Sequence, residues 1–327
     1  MVSQTELAGA VHSIGADLKV GSLFSGIGGI DLGFIQSGFD IAWANEIDRD
    51  ACITYRYNFP DTNLIEGDIR EIDENKLPDI DVLAAGFPCQ PFSIMGYRRG
   101  FKDPRGNLFF ELARIIDRKK PRIVFLENVK NLVYHDNGKT FLVIYSTLAE
   151  LGYSVRYKIV NATDVNIPQN RARIFIVGFL DPGDCDVFSF PEFEELTKSI
   201  EDILDRTVKH DDSYYYGSAN RYFQQLDMRM KGMSGIYRID DSGVAMKKYT
   251  ICPTLKANMG TYHDRVPVIR DRFGIRKLTP RECLDFQGYP QDFGFKGIPI
   301  ASAYKQIGNS VCVPVIKKIS GNIYKLF

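Results

Sequence analysis

The sequence predicts a doubly wound α/β domain that carries a smaller, differently built segment in its C-terminal half. Three observations predict it. Short apolar runs at 18–24, 39–46, 81–86, 121–129 and 174–179 end in glycine turns or acids, and longer amphipathic stretches separate several of them. The first run leads into a glycine-rich turn and then a helical pattern. From about Asp184 the strand–helix alternation stops, and Tyr, Gly, Met, Lys and Arg dominate. Open α/β sheets bind their ligands outside the carboxyl ends of the strands, so the residues at those ends are the first candidates for chemistry.

Taken in order, Leu18 to Phe24 reads as a strand and Ser25-Gly26-Ile27-Gly28-Gly29 as a tight turn. The turn suits either a cofactor lying close to backbone or a purely structural corner. Its Gly-x-Gly-Gly spacing departs from the Gly-x-Gly-x-x-Gly dinucleotide fingerprint, which weakens a nicotinamide reading. Phe39 to Asp48 is a second strand, and Glu46 at its end is placed to accept both ribose hydroxyls of a nucleoside. Asp48 fits better as the N-terminal acid of a helix over Arg49 to Asn58. A third turn presents Gly67-Asp68-Ile69. A glycine turn and two acids at successive strand ends point to one nucleoside-bearing cofactor along the sheet edge.

The fourth strand runs into Gly86-Phe87-Pro88-Cys89-Gln90-Pro91-Phe92-Ser93. Two prolines exclude a helix or a central strand there, so Cys89 belongs on a rigid loop at the strand's carboxyl end. It is either a nucleophile or a small buried apolar residue. Residues 94–106 carry Arg98, Arg99, Lys102 and Arg105 between Gly96, Gly100 and Gly106. They suit a loop that closes on a polyanion, or a plain solvated loop. A helix from Asn107 to Lys119 precedes the strand that ends in Glu127-Asn128-Val129. An acid at an apolar strand end can share a proton with a substrate ring. A helix (Thr140–Leu151), a strand (Ser154–Val160), a turn holding Arg171 and Arg173, and a strand over Ile174 to Phe179 follow. The two arginines alternate along the chain and are expected on one face, within reach of an anionic ligand. Thr279 to Gln287 reads as helical, and Ala301 to Lys318 ends the chain with Gly308-Asn309-Ser310.

Composition bounds the rest. Lys plus Arg and Asp plus Glu both number 41, so any polyanion is held by a local basic surface rather than by net charge. Residues 213–277, where basic residues interleave with aromatics, suit either such a surface or a charged face without a partner. Six scattered cysteines without a Cys-x-x-Cys pair, and four histidines apart from them, argue against zinc. No signal peptide and no membrane-length apolar run is apparent, and a cytoplasmic location with reduced thiols is expected.

In their order and extent, SLFSGIGG (22–29), NEID (45–48), GDI (67–69), GFPCQPFS (86–93), RGNLFF (105–110), ENV (127–129), QNRARIF (169–175), RECLDFQGYP (281–290) and YKQIGNSV (304–311) resemble the bacterial DNA (cytosine-5)-methyltransferases of restriction-modification systems. The resemblance implies a Rossmann-like S-adenosyl-L-methionine-dependent catalytic domain formed by 1–185 plus 300–327. It also implies a target-recognition domain over 186–299. It makes Cys89 the nucleophile at C6 of a flipped-out cytosine in a short specific site of double-stranded DNA. Glu127 would act at N3 and the exocyclic amine, Asn128 would order the loop, and Arg173, with Arg171 beside it, would hold O2. For S-adenosylmethionine it implies Phe24, Gly26, Ile27, Gly29, Glu46, Ile47, Asp68, Ile69, Pro88, Leu108, Asn309 and Ser310. For DNA it implies Ser93, Arg98, Arg99, Lys102 and Arg105, together with Thr254, Lys256 and Arg265 around a Thr-Leu-x-Ala anchor.

Two residues depart from the family pattern: Ser22 stands where many relatives have Asp, and Ile47 where an aromatic often stacks on adenine. The expected protein is a monomer, with a cognate restriction endonuclease in the same system that need not touch it, and with a weak lean towards a GC-rich site beginning CC. Two alternatives stay open on the same scaffold: a tRNA cytosine-5-methyltransferase, and a catalytically silent DNA-binding protein.

Overall fold

A computed structural model of the chain describes residues 18–88, 108–232, 234–239, 246–261 and 265–327. Seven strands form one sheet: β1 (Lys19–Leu23), β2 (Asp40–Glu46), β3 (Leu64–Glu66), β4 (Val82–Gly86), β5 (Ile123–Val129), β6 (Ser154–Val160) and β7 (Arg173–Phe179), in the order β3-β2-β1-β4-β5-β7-β6. The pairs among β1 to β5 are parallel, and β7 runs antiparallel to both β5 and β6. Order reverses at β1, so the carboxyl ends of β1 and β4 flank the switch point at which such sheets bind ligands.

Contacts divide the chain into two compact units. The first comprises Met1–Val160, Ala172–Glu192 and Val313–Phe327; the second comprises Asn161–Arg171 and Phe193–Cys312. In the first unit, β4 and β5 are buried along nearly their whole length, which is why they read as continuous apolar runs. Trp43 fills the space beside β1 because Gly21 has no side chain: a Cβ there would lie 2.2 Å from the indole ring. The indole Nε1–H donates to the Pro78 carbonyl at 3.2 Å. The register between β1 and β2 shifts at Val20/Gly21, where that ring is seated.

Helix α1 (Gly29–Ile35) follows the first turn, and α2 (Arg49–Asn58) follows β2, capped by Asp48, whose Oδ1 accepts from the Asp50 and Ala51 amides. Helix α3 (Leu108–Lys119) buries Phe109, Leu112, Ile115 and Ile116 in the core, and α4 (Lys139–Glu150) precedes the edge strand β6. A short α5 (Pro182–Val187) completes the N-terminal region.

The second unit holds a four-stranded antiparallel sheet of β8 (Ile236–Ile239), β9 (Met246–Tyr249), β10 (Val268–Asp271) and β11 (Gly274–Lys277), in the order β11-β10-β8-β9. Tyr216, Tyr222, Leu226, Met230, Tyr237, Ile239, Val268 and Ile275 form its small core, to which α6 (Phe223–Arg229) contributes. Helices α7 (Pro280–Asp285) and α8 (Ile300–Asn309) also belong to this unit. The last helix, α9 (Val313–Tyr324), returns to the first unit: Ser320 donates to the Gly33 carbonyl of α1 at 3.1 Å, and Ile316 sits directly against Gly33.

Candidate active site

The turn after β1 is built from backbone in rare conformations. Phe24 lies at φ 55° and Gly26 at φ 56°, both left-handed. A left-handed Phe costs about 1–3 kcal/mol and persists only where neighbours enforce it. Here they do: Ser25 N–H donates to the Asn45 carbonyl at 3.0 Å, and Gly26 N–H donates to Glu46 Oε2 at 2.8 Å. A Cβ on Gly26 would meet no atom within 4 Å, so this backbone borders open space.

Glu46, which accepts that Gly26 amide, is itself held in place. Its Oε1 accepts the Ile47 and Asp48 amides at 2.9 and 2.8 Å, which fixes the carboxylate at the end of β2. Ile47 beside it is 62% exposed, an isolated large apolar side chain at the mouth of the site. The buried Asn45 donates to the Ile65 and Gly67 carbonyls at 2.9 and 3.0 Å, locking the ends of β2 and β3 together. Asp68 caps the following turn, and its hydrogen bonds with the Arg70 side chain hold its carboxyl below the usual range. Ile27, Gly29 and Ile69 are buried, Leu108 is half-buried against the core, and Pro88 is exposed. These groups suit a nucleoside with an apolar ring and two hydroxyls.

Asp31 is a residue that sequence reasoning passed over. It is fully buried in α1, accepting from the Ser22 hydroxyl at 2.5 Å and the Tyr55 hydroxyl at 2.6 Å. Burial pushes its carboxyl up to about 6, against the lowering pull of the two hydroxyls. The signal was there: every residue from Gly29 to Phe34 is buried, and a carboxylate in such a helix needs partners. Ser22, a departure from the family pattern, is thus a donor to a carboxylate supplied from α1.

At the ends of β5 and β7 the sheet brings two charged side chains together. The register pairs Val129 with Arg173, and β7 starts where the parallel β5 ends. Arg173 Nε lies 3.1 Å from Glu127 Oε1, with 14% and 10% of the two side chains exposed. Arg173 also donates to the Ala172 carbonyl at 3.0 Å. Asn128 is buried; its Nδ2 donates to the Phe87 carbonyl at 2.8 Å and its Oδ1 accepts the Val129 amide at 2.8 Å. The end of β5 is therefore tied to the loop two residues before Cys89.

Arg171 does not share a face with Arg173. It precedes β7, is 2% exposed, and turns its guanidinium onto the carbonyls of Leu255 and Gly308, at 2.9 and 3.0 Å, and of Ser310. A buried guanidinium satisfied by carbonyls positions backbone and is not presented to an anionic ligand. Thr254 donates its hydroxyl to the Asn170 carbonyl, Lys256 and Asn309 are exposed, and Arg265 and Ser310 are half-buried. Cys89, Ser93, Arg98, Arg99, Lys102 and Arg105 lie outside the described residues. No group of three or more His, Cys, Asp or Glu suited to a metal occurs among the described residues, and no described helix is long and apolar enough to cross a membrane.

Residues 18–325 match the family model described as C-5 cytosine-specific DNA methylase. The Type II methyltransferase M.Bsp6I of Bacillus sp. (strain RFL6) is 50% identical over 312 residues, which cover 94% of this chain and 99% of that protein. M.HhaI of Haemophilus parahaemolyticus is 39% identical over 318 residues, 94% of each chain. Among solved structures, a DNMT2 mutant of Spodoptera frugiperda superposes with a TM-score of 0.68 at 21% identity, over 94% of this chain and 99% of that one. The methyltransferase EhMeth of Entamoeba histolytica gives 0.70 at 20% identity, over 95% and 99%. The structural likenesses concern the fold; the family rests on the sequence matches.

Proposed function

For a chain that belongs to the C-5 cytosine-specific DNA methylase family, and is thereby a DNA (cytosine-5)-methyltransferase of the restriction-modification type, we propose a covalent mechanism centred on Cys89, Glu127 and Arg173. The family and the S-adenosylmethionine-dependent methyltransferase fold imply S-adenosyl-L-methionine as cofactor and DNA as substrate. The observation that carries the reading is the Glu127–Arg173 pair at the sheet's carboxyl end, braced through Asn128 to the backbone leading into Cys89.

The residues at the glycine turn fit the cofactor: open space beside Gly26, a fixed carboxylate at Glu46 and an exposed apolar side chain at Ile47. Phe24, Gly26, Ile27 and Gly29 would line it with backbone, Glu46 would hold the ribose and Asp68 the adenine amine. Ile69, Pro88 and Leu108 would bound the ring, and Asn309 and Ser310 would also bind the cofactor. When bound, S-adenosylmethionine supplies an electrophilic methyl carbon.

Cytosine C5 is a weak nucleophile. The Cys89 thiolate would add to C6, and the ring electrons displaced by that bond would make C5 enamine-like. Glu127 would hold a proton at N3 as charge builds on the ring, and Arg173 would donate to O2. Loss of the C5 proton and expulsion of Cys89 would restore the aromatic ring. The target base must leave the duplex stack, at a cost of about a few kcal/mol, which the basic 94–106 segment, with Ser93, would offset by closing on the strand. Thr254, Lys256 and Arg265 would face DNA from a recognition domain over 186–299, the catalytic domain being 1–185 plus 300–327. We assign the enzyme to the cytoplasm as a monomer that modifies a short duplex site.

Methyl transfer from labelled S-adenosylmethionine to unmethylated genomic DNA, wild type beside Cys89→Ser, tests the reading. Incorporation as 5-methylcytosine that vanishes in the variant is the expected result, and sequencing the product supplies the site. Transfer to tRNA alone, or cofactor binding without transfer to DNA, would overturn it.

A further inference from the structure

We propose that Arg171 is a positioning residue through which recognition of the DNA site is coupled to cofactor affinity. The proposal rests on the reading above, in which Thr254 and Lys256 face DNA and Asn309 and Ser310 face the cofactor. Those two segments meet within one unit, and a single side chain ties both. Arg171 Nη1 donates to the Leu255 carbonyl of the recognition anchor at 2.9 Å; Nη2 donates to the Gly308 carbonyl at 3.0 Å and also to that of Ser310, on either side of Asn309.

The surroundings leave the clamp little slack. Gly308 packs against the backbone of Lys256 and Ala257, so closely that a Cβ would lie 2.2 Å from the Lys256 carbonyl carbon. On the other side, Asn170 N–H donates to the Cys252 carbonyl, Cys252 N–H donates to the Pro168 carbonyl, both at 2.8 Å, and Thr254 donates to Asn170. Gln169 and Gln287, both fully buried, extend the brace to the Phe286 and Ile307 carbonyls, each at 2.9 Å. A planar guanidinium reaches three carbonyls at fixed angles, so a shift of Leu255 re-aims the donors that hold 308 and 310. Packed interiors respond to such shifts by moving together rather than deforming gradually. A DNA duplex that fixes residues 254–256 therefore fixes the Gly308-Asn309-Ser310 segment as well, and bound cofactor does the reverse. The coupling is reciprocal by linkage.

The test uses the full chain, S-adenosylmethionine, and two duplexes: one bearing the site found by sequencing the methylated product, the other of the same composition without it. The dissociation constant of the cofactor is measured with each duplex and with none. Wild type is expected to bind cofactor at least about fivefold more tightly with the specific duplex, in the usual range of such couplings. Arg171→Lys, which keeps the charge but replaces the fork with one point donor, is expected to bring that ratio below about two. Thr254→Val loosens the same junction without leaving a buried charge, and is expected to lower the ratio in the same direction should Arg171→Lys fail to fold. A ratio unchanged from wild type in the folded variants, or a wild-type ratio of one with both ligands bound, overturns the proposal. Failure of wild type to bind cofactor or to methylate DNA at all would instead refute the functional reading beneath it.

Discussion

Two buried ionic clusters differ in what surrounds them. Glu127 and Arg173 pair at the end of the parallel sheet, each with a tenth or more of its side chain open. Arg276, in the second unit, is fully buried: its Nε lies 2.7 Å from the equally buried Asp271 and its two terminal nitrogens 2.7 and 2.8 Å from Glu282, whose side chain is 8% exposed. Tyr215 donates to the same Asp271, and Glu282 also completes the capping box with Thr279 that starts α7. A sealed network can only hold hairpin β10–β11 to α7. An ion pair with an open edge can exchange its partner for a substrate. Exposure of the arginine, 14% at Arg173 against none at Arg276, is what separates the two clusters.

The contrast is sharpest when each cluster is broken. Arg276→Met strands two buried acids, and should destabilise the chain by about 3–5 kcal/mol in chemical unfolding. A loss below about 1 kcal/mol would mean that the network is not structural. Asp31 gives an intermediate case, buried but partnered by hydroxyls. Its folded pKa, about 6, lies above the ordinary 3.8, so its contribution to stability is full below that value and is lost as pH rises through 6. Asp31→Asn should remove about 3 kcal/mol of the decline in stability between about pH 4 and pH 6, leaving a flatter profile. Equal slopes for variant and wild type would contradict this. At the far end, Arg56 and Glu66 pair at 2.7 Å with 50% and 38% of their side chains exposed. Arg56→Ala should shift the unfolding free energy by less than about 1 kcal/mol, as exposed pairs do.

Most of the first unit was legible because its signals are local. Apolar strands ended in turns or acids at 46, 68 and 127, and Asp48 caps α2 where an N-terminal acid was expected. What stayed hidden depends on contacts distant in sequence. Trp43 had no legible role, because its seat is the missing side chain of Gly21 on the neighbouring strand. The spacing of Arg171 and Arg173 suggested a shared face, yet the strand begins only at Arg173, and Arg171 answers to carbonyls more than eighty residues away. Arg276 looked like one more base in a basic region, since nothing in the local sequence shows that Asp271 and Glu282 close around it.

In the proposed mechanism Glu127 acts on the substrate rather than on the fold. The direct measurement is the single-turnover rate of methyl transfer by Glu127→Gln on DNA bearing the identified site, with its unfolding midpoint taken alongside. The expected rate is lower by about 10²–10⁴-fold, the usual share of a positioned acid, at a midpoint close to that of wild type. A rate within a few fold of wild type, or a loss of rate matched by a loss of folded protein, would contradict it.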